Sequence, residues 1–249
     1  MPSKVQTLRG DFTFQKSGWP KVEYPNISEG LIRDYRVEDL ADGPVTEWVD
    51  RIVGAKLVNS DPSVLANPVV TFEDGRRSVV FAGNTRFQEW FTVPANLSIA
   101  VVYNASSLGH NTNMRLVSGG DGFRYFAPNM TSMAVQVATG AADKRITLGT
   151  VNASGLVRDQ WGAAVLSHAN ATSLSAKVLG GTYVTGKILA EPQPVVQSRL
   201  ILGYNSAAVA NNITGFHGKV ARLMVWDRAL APVDMDAVLI QNKKMYNLP

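Results

Sequence analysis

Paired carboxylates are the first candidates for catalysis, because two Asp or Glu side chains on one face can act as acid and base toward a sugar bond. On a strand, such a pair occupies positions i and i+2. The sequence has one acidic pair at this spacing, Asp234 and Asp236, but it falls in a predicted helix, where the spacing separates the side chains. Glu73 and Asp74 are neighbours in a predicted turn. The sequence therefore disfavours hydrolysis by a carboxylate pair, and we predict a protein that is not an enzyme.

Other catalytic and metal-binding patterns are also missing from the sequence. The chain has no cysteine, which excludes disulfides and thiolate metal sites. Its three histidines, His110, His168 and His217, show no spacing typical of zinc ligands, and each is expected at the surface or in a turn. No nucleophile elbow, phosphate-binding loop, dinucleotide fingerprint or EF-hand occurs. We predict no catalytic residue, no metal and no cofactor; a calcium site built from scattered oxygens is the exception that a sequence pattern would miss.

Aromatic and polar residues of the middle strands are the remaining candidates for ligand binding. Arg124, Tyr125, Trp161 and Tyr183 are predicted to line a concave sheet face on which aromatic rings stack against sugars. The alternative is that Trp161 and Tyr183 are core residues.

The elements that must position these residues are mostly short strands. From Leu31 onward, strand candidates separated by turn residues recur, and Leu97, Ile99, Val101 and Tyr103 alternate onto one face of the clearest of them. Further candidates include Ser78–Phe81, Arg86–Phe91, Met133–Ala138, Trp161–Ser167, Leu174–Leu179, Arg199–Leu202 and Lys219–Trp226. In the last of these, Ala221, Leu223 and Val225 are predicted on one face and Arg222, Met224 and Trp226 on the other.

A single helix is predicted, beginning near Pro232 at the end of the chain. Met235, Val238, Leu239, Asn242 and Tyr246 fall at helical spacing and form a stripe that can dock on a sheet. Many short strands and one terminal helix predict an all-β fold, a two-sheet antiparallel jelly-roll sandwich with a short C-terminal helix. Residues 1–30 carry three prolines and little periodicity, and we predict an extended N-terminal arm before a single sandwich at residues 31–249.

Charge and hydropathy limit the partners. The net charge of +4 comes from scattered Lys and Arg residues, whereas nucleic-acid binding normally concentrates basic residues on one face, so we expect no nucleic-acid partner. No apolar run approaches the length of a membrane span, and the first residues contain no apolar signal segment. We therefore expect neither membrane insertion nor a signal peptide.

Four motifs together resemble those of a known superfamily. They are Trp48-Val-Asp50 after the first strand, the segment Gly75–Gly83, the late strand Leu200–Gly203, and the closing segment Phe216-His-Gly218 with the strand and turn that follow it. Their order and spacing are similar to those of the concanavalin A-like lectin/glucanase superfamily, specifically the laminin-G-like jelly rolls of bacterial and phage proteins. The resemblance covers about residues 31–248. Glucanases of this superfamily carry a Glu-x-Asp-x-x-Glu strand motif, which this sequence lacks.

The resemblance implies two functions. The first is a non-enzymatic virion structural protein, a phage decoration, tail or fibre subunit that assembles with its own copies and other virion proteins through the arm and sandwich surfaces, and that contacts host-surface polysaccharide. The second is a lectin-like carbohydrate-binding module; glycan hydrolysis ranks below both. We expect localisation in the virion.

Overall fold

A computed structural model describes residues 26–59, 66–73, 75–83, 85–94, 96–106, 117–119, 127–128, 133–134, 159–169, 173–187, 196–203 and 216–249. Strands dominate these residues, and one α-helix lies near the end of the chain. The strands are β1 (Leu31–Arg36), β2 (Gly43–Pro44), β3 (Glu47–Val49), β4 (Lys56–Val58), β5 (Val69–Glu73), β6 (Arg76–Ala82), β7 (Phe87–Val93), β8 (Leu97–Ala105), β9 (Val117–Gly119), β10 (Ala127–Pro128), β11 (Met133–Ala134), β12 (Trp161–Ala169), β13 (Ser173–Val178), β14 (Val184–Lys187), β15 (Val196–Leu202) and β16 (His217–Trp226); a 3-10 turn spans Val37–Asp39, and α1 spans Pro232–Met245.

Two antiparallel sheets form the architecture. The large sheet has the order β14-β13-β12-β8-β16-β6-β5-β2, with β1 paired to the second half of β16. The small sheet has the order β3-β4-β7-β15-β9, and β10 pairs with β11 separately. The predicted all-β sandwich with a C-terminal helix is therefore confirmed. In the described part of the chain, no helix combines the length and hydropathy that a membrane crossing requires.

The core lies between the sheets and is held by a chain of aromatic contacts. Tyr35 packs edge-on against Trp48 with ring centroids 5.9 Å apart, and Trp48 lies 6.4 Å from Phe87. Phe81 continues the chain, at 6.2 Å from both Phe87 and Phe216. All five side chains are almost completely buried. Because they come from both sheets, these rings fix how one sheet lies on the other.

In the closing strand β16, the predicted faces are correct for Arg222 and Leu223. Arg222 reaches Asn242 of α1, whereas Leu223 pairs with Tyr35 and belongs to the core. A register shift after Val220 marks a bulge in the pairing with β8. Just before it, Gly218 has φ +152°, and a Cβ there would come within 2.2 Å of the Asn104 carbonyl oxygen. The sequence motif thus needs glycine at this position for a close approach of two strands.

The helix α1 begins at Pro232 as predicted, and its stripe of Met235, Val238, Leu239 and Asn242 is buried against the large sheet. We call the side of this sheet that carries α1 its helix face. Arg222, with 1% of its surface exposed, donates from Nε and Nη2 to the two carboxylate oxygens of Asp34 at 2.8 and 2.9 Å. Its Nη1 donates to Asn242 Oδ1 at 2.8 Å. This group joins β1, β16 and α1.

The segment before β1 also packs on the sandwich. Trp226 Nε1 donates to the Ile27 carbonyl at 2.7 Å, and Arg228 Nε donates to the Glu29 carbonyl at 2.8 Å. The last residues of the predicted arm are therefore held against the turn that follows β16. The rest of the arm, residues 1–25, lies outside the described residues.

Replacing Asp34 by Asn is expected to lower the free energy of unfolding by about 3–5 kcal/mol, because Arg222 would remain buried without a counter-charge. Urea unfolding at neutral pH measures this change. Lys56→Gln is the control, because it breaks an ion pair whose side chains are 54% and 47% exposed, which is worth less than about 1 kcal/mol.

The cost of the Asp34 substitution is also expected to depend on pH. Burial acts to raise the pKa of Asp34, but hydrogen bonds and charges of Arg222 and Arg36 outweigh it, so the folded pKa lies below the ordinary value of 3.8. The stability from Asp34 is therefore complete above pH 3.8 and is lost as the pH falls through the folded pKa. The difference in unfolding free energy between the native protein and Asp34→Asn should shrink below that pH; a constant difference there would contradict this assignment.

Candidate functional site

The Trp-x-Asp motif, Trp48-Val-Asp50, has a structural role. Trp48 is buried in the core, and its Nε1 donates to the Arg36 carbonyl at 2.9 Å. Asp50 is 3% exposed and accepts from the backbone N–H of Asp34 at 2.6 Å and of Val53 at 2.7 Å. The carboxylate thus fixes the turn between β3 and β4 and ties it to β1. No ligand is needed to explain these two residues.

A second group of chemically active side chains lies between the sheets. Glu89 of β7 accepts from the Tyr35 hydroxyl at 2.6 Å and from Arg33 Nε at 2.9 Å. Burial raises the pKa of Glu89, although Tyr35 and Arg33 act in the opposite direction. Burial, followed by the nearby Glu89 charge, also raises the pKa of the Tyr35 hydroxyl.

A tyrosine and a carboxylate in contact have the residue types of a nucleophile and its partner. However, Tyr35 is 0% and Glu89 is 6% exposed, and both polar groups are already bonded to each other. A sugar cannot reach them without opening the sandwich. We therefore assign the Arg33, Tyr35 and Glu89 group to structure: it connects β1 of the large sheet to β7 of the small sheet.

Two of the four predicted binding residues, Arg124 and Tyr125, lie outside the described residues. Trp161 begins β12 on the helix face, in a row with Asn104 of β8 and Lys219 of β16. Its ring is half-buried against the core, and the Arg76 guanidinium carbon lies 5.9 Å from the ring centre. Arg76 Nη2 also donates to the Asn247 carbonyl at 2.5 Å. Trp161 therefore helps to hold the end of the chain on the large sheet.

Tyr183 precedes the edge strand β14 and is 38% exposed. The register places it level with Lys177, which forms an ion pair with Asp236 of α1. Lys177 lies opposite Val165, four residues along β12 from Trp161. This is about 13 Å along the strand, plus about 10 Å across two strands. The described structure does not bring Trp161 and Tyr183 together into one platform for a sugar.

The most exposed large hydrophobic side chain of the described residues is one that the sequence analysis missed. Trp90 of β7 is 71% exposed, whereas Phe87, Glu89 and Phe91 of the same strand are buried. The alternation of β7 turns these three toward the core and Trp90 toward the opposite side. We call this side of the small sheet its outer face. The signal was present in the sequence Phe87-Gln-Glu-Trp-Phe91, because Trp90 is out of phase with both phenylalanines.

Polar side chains surround Trp90 on the outer face. Gln88 and Thr92 share its side of β7, with Gln88 partly exposed and Thr92 exposed. On the neighbouring strands, Lys56 Nζ donates to Glu47 Oε2 at 2.9 Å, and both side chains are about half exposed. A large flat ring bordered by hydrogen-bonding groups can cover an apolar ligand surface and bind the polar groups at its rim. Trp90 and these neighbours are the candidate functional site.

The histidines add no second site among the described residues. His168 is 5% exposed in the middle of the large sheet, so the expected surface position is wrong: it lies in β12 between two paired strands. His217 packs on Gly83, where a Cβ would come within 2.1 Å of its Nε2. His110 lies outside the described residues. No group of three or more His, Cys, Asp or Glu residues with metal-site geometry occurs in the part of the chain that the structure describes.

No protein-family model and no curated protein sequence matches the chain. Solved structures do match its fold. Trypanosoma rangeli sialidase aligns with 88% of this chain at 14% identity and a TM-score of 0.59, and the alignment covers 33% of the sialidase chain. This chain thus spans about a third of the length of the sialidases it matches.

Two smaller proteins give similar matches. Domain 4 of AbnA, a GH43 extracellular arabinanase from Geobacillus stearothermophilus, aligns over 83% of this chain and 97% of its own length, at 12% identity and a TM-score of 0.55. The binding domain of Paraclostridial Mosquitocidal Protein 1 aligns over 88% of this chain and 53% of its own, at 11% identity and a TM-score of 0.58. At these identities the likeness establishes the β-sandwich fold alone. None of the three is a virion protein.

Trp161 and Trp90 are expected to respond differently to truncation. Trp161→Ala should lower the free energy of unfolding by about 2 kcal/mol, because it removes a core contact and the ring beside Arg76. Trp90→Ala should change it by no more than about 0.5 kcal/mol, because most of the ring faces solvent. Urea unfolding of both variants measures the two costs. A larger cost for Trp90 than for Trp161 would show that the outer-face assignment is wrong.

Proposed function

We propose that this protein is a carbohydrate-binding sandwich that holds a glycan on the outer face of its small sheet, with Trp90 as the stacking platform. The 71% exposure of Trp90 on a regular strand carries this proposal. A sugar ring has an apolar C–H face and a rim of hydroxyl groups. The indole can cover the C–H face, and Thr92 and Lys56 can hydrogen-bond with the rim.

The size of the ring makes this contact energetically useful. A tryptophan side chain presents on the order of 200 Å² of surface. Covering about half of it at roughly 25 cal/mol per Å² contributes ~2.5 kcal/mol, before any hydrogen bond is counted. Binding of one sugar through such a face is weak, and a longer glycan gains affinity by contacting the polar residues around it.

The structural neighbours support a glycan as the ligand class. Domain 4 of the arabinanase was solved in complex with arabinotriose, and its alignment with this chain covers 97% of that domain. T. rangeli sialidase was solved in complex with sialic acid, although only about a third of it corresponds to this chain. These proteins share the fold at low identity, so they support the class of ligand and not the position of a site.

We assign binding without hydrolysis. Among the described residues, the carboxylates of Glu89 and Asp50 act electrostatically on the Tyr35 hydroxyl, and both are buried and already hydrogen-bonded inside the sandwich. Most glycoside hydrolases use two carboxyl groups that flank the sugar bond with room for water. The contacts of Glu89 and Asp50 leave no such room.

A virion subunit remains a second candidate, favoured by the resemblance of the closing and Trp-x-Asp motifs to phage laminin-G-like domains. In that role the outer face would contact host polysaccharide, and residues 1–25 would join copies of the chain. A deletion of residues 1–25 keeps Ile27 and Glu29, which bond to Trp226 and Arg228. Arm-dependent oligomers in analytical ultracentrifugation would support the virion role, and a monomer with or without the arm would count against it.

Trp90→Ala is expected to weaken glycan binding about thirtyfold or more, because it removes the stacking surface. A glycan array identifies the ligand, and isothermal titration calorimetry measures the affinity of each protein. Phe72→Ala is the matched control, since Phe72 is 66% exposed but lies on β5 of the large sheet. Equal affinity of Trp90→Ala and the native protein for every bound glycan would refute the proposed site.

A further inference from the structure

The strands on either side of Trp90 both carry a basic residue at its level. β15 runs antiparallel to β7 with Arg199 directly opposite Trp90. On the other side, β4 pairs with β7 at Val58 and Gln88. Extending this antiparallel register by two residues places Lys56 level with Trp90. Neighbouring strands lie about 4.8 Å apart, so the two basic positions flank the tryptophan within one sugar width on each side.

We infer that the glycan bound at Trp90 is anionic, a polysaccharide bearing carboxylate or sulfate groups. This inference rests on the proposed function and specifies its ligand class. Stacking of a sugar ring on the indole places its ring substituents over the two adjacent strands. Those strands carry a basic residue at the positions on each side of Trp90, and neutral sugars need no such charges. A repeating anionic sugar would place successive charged groups beside Lys56 or Arg199.

The Lys56 side chain is available for this role at a small cost. Its ammonium group has three donors, and Glu47 accepts from it at 2.9 and 3.2 Å. The side chains of both residues are about half exposed, so their ion pair is screened by water and weak. An anionic ligand can therefore compete with Glu47 for Lys56. The chain's net charge of +4 also favours the approach of a polyanion.

Replacing Glu47 is expected to tighten binding, a result that damage to the fold would not produce. Glu47→Gln removes the acidic group that competes for Lys56, so it should tighten binding of an anionic glycan about two- to threefold. Lys56→Gln should weaken that binding about two- to fivefold, and Arg199→Gln should weaken it about tenfold. These changes should shrink at high salt.

The probes are matched pairs that share one sugar backbone, with one charged and one neutral member. One pair is an oligogalacturonide and its methyl ester, and the other is a sulfated oligosaccharide and its desulfated form; the two pairs distinguish carboxylate from sulfate. Calorimetry with the full chain measures each affinity, and circular dichroism checks that every variant is folded. We expect the native protein to prefer the charged member of at least one pair, and the three charge variants to change its affinity in the stated directions.

The inference is overturned if the native protein binds the neutral members as tightly as the charged ones, or if the charge variants bind charged and neutral glycans like the native protein. Loss of binding in Trp90→Ala under either result would leave the proposed glycan site intact. Absence of binding to every glycan, charged or neutral, would overturn both the inference and the proposed function.

Discussion

The buried guanidinium of Arg222 is the constraint on which the rest of this fold depends. A charge with 1% exposure is tolerable only when it is neutralised and its donors are satisfied. The counter-charge, Asp34, lies 188 residues earlier in the chain, and Nη1 of Arg222 donates to Asn242 and Gln241 of α1. The first strand, the last strand and the helix are therefore obliged to form together. The physical role of the closing motif is to join the first strand, the last strand and the helix.

The same demand for satisfied polar groups explains the bonds among the polar side chains described between the two sheets. Arg33, Tyr35 and Glu89 bond to one another across the two sheets, and Asp50 bonds to two backbone N–H groups. Each of these groups would be expensive to leave unpaired inside the sandwich. The bonds of Glu89 to Arg33 and Tyr35 help to fix the position of one sheet on the other.

Local alternation predicted much of the fold, because the face of a strand residue depends only on parity within its own strand. Alternation gave the faces of β16 correctly, and helical spacing gave the buried stripe of α1. Parity also separates Trp90 from Phe87 and Phe91, yet it does not say which side of a strand meets solvent. That depends on where the second sheet lies, which no sequence window contains. For the same reason Trp161, whose ring is covered by Arg76, could not be told from a sugar-binding residue. The fold class was thus accessible from sequence, whereas the candidate site required the arrangement of the sheets.

The inward residues of β7 also explain why Trp90 suits the proposed recognition of a glycan. Phe87 and Phe91 are almost completely buried, and Glu89 is bonded to Tyr35 and Arg33 of the other sheet. The backbone under Trp90 is therefore fixed before any ligand arrives, and less conformational entropy is lost on binding than for a tryptophan on a loop. A strand with one face built into the core and the other open to solvent joins stability and the proposed binding in one element. Changes at Glu89 or Phe91 would then alter the affinity for the proposed ligand by displacing Trp90, although neither side chain contacts the outer face.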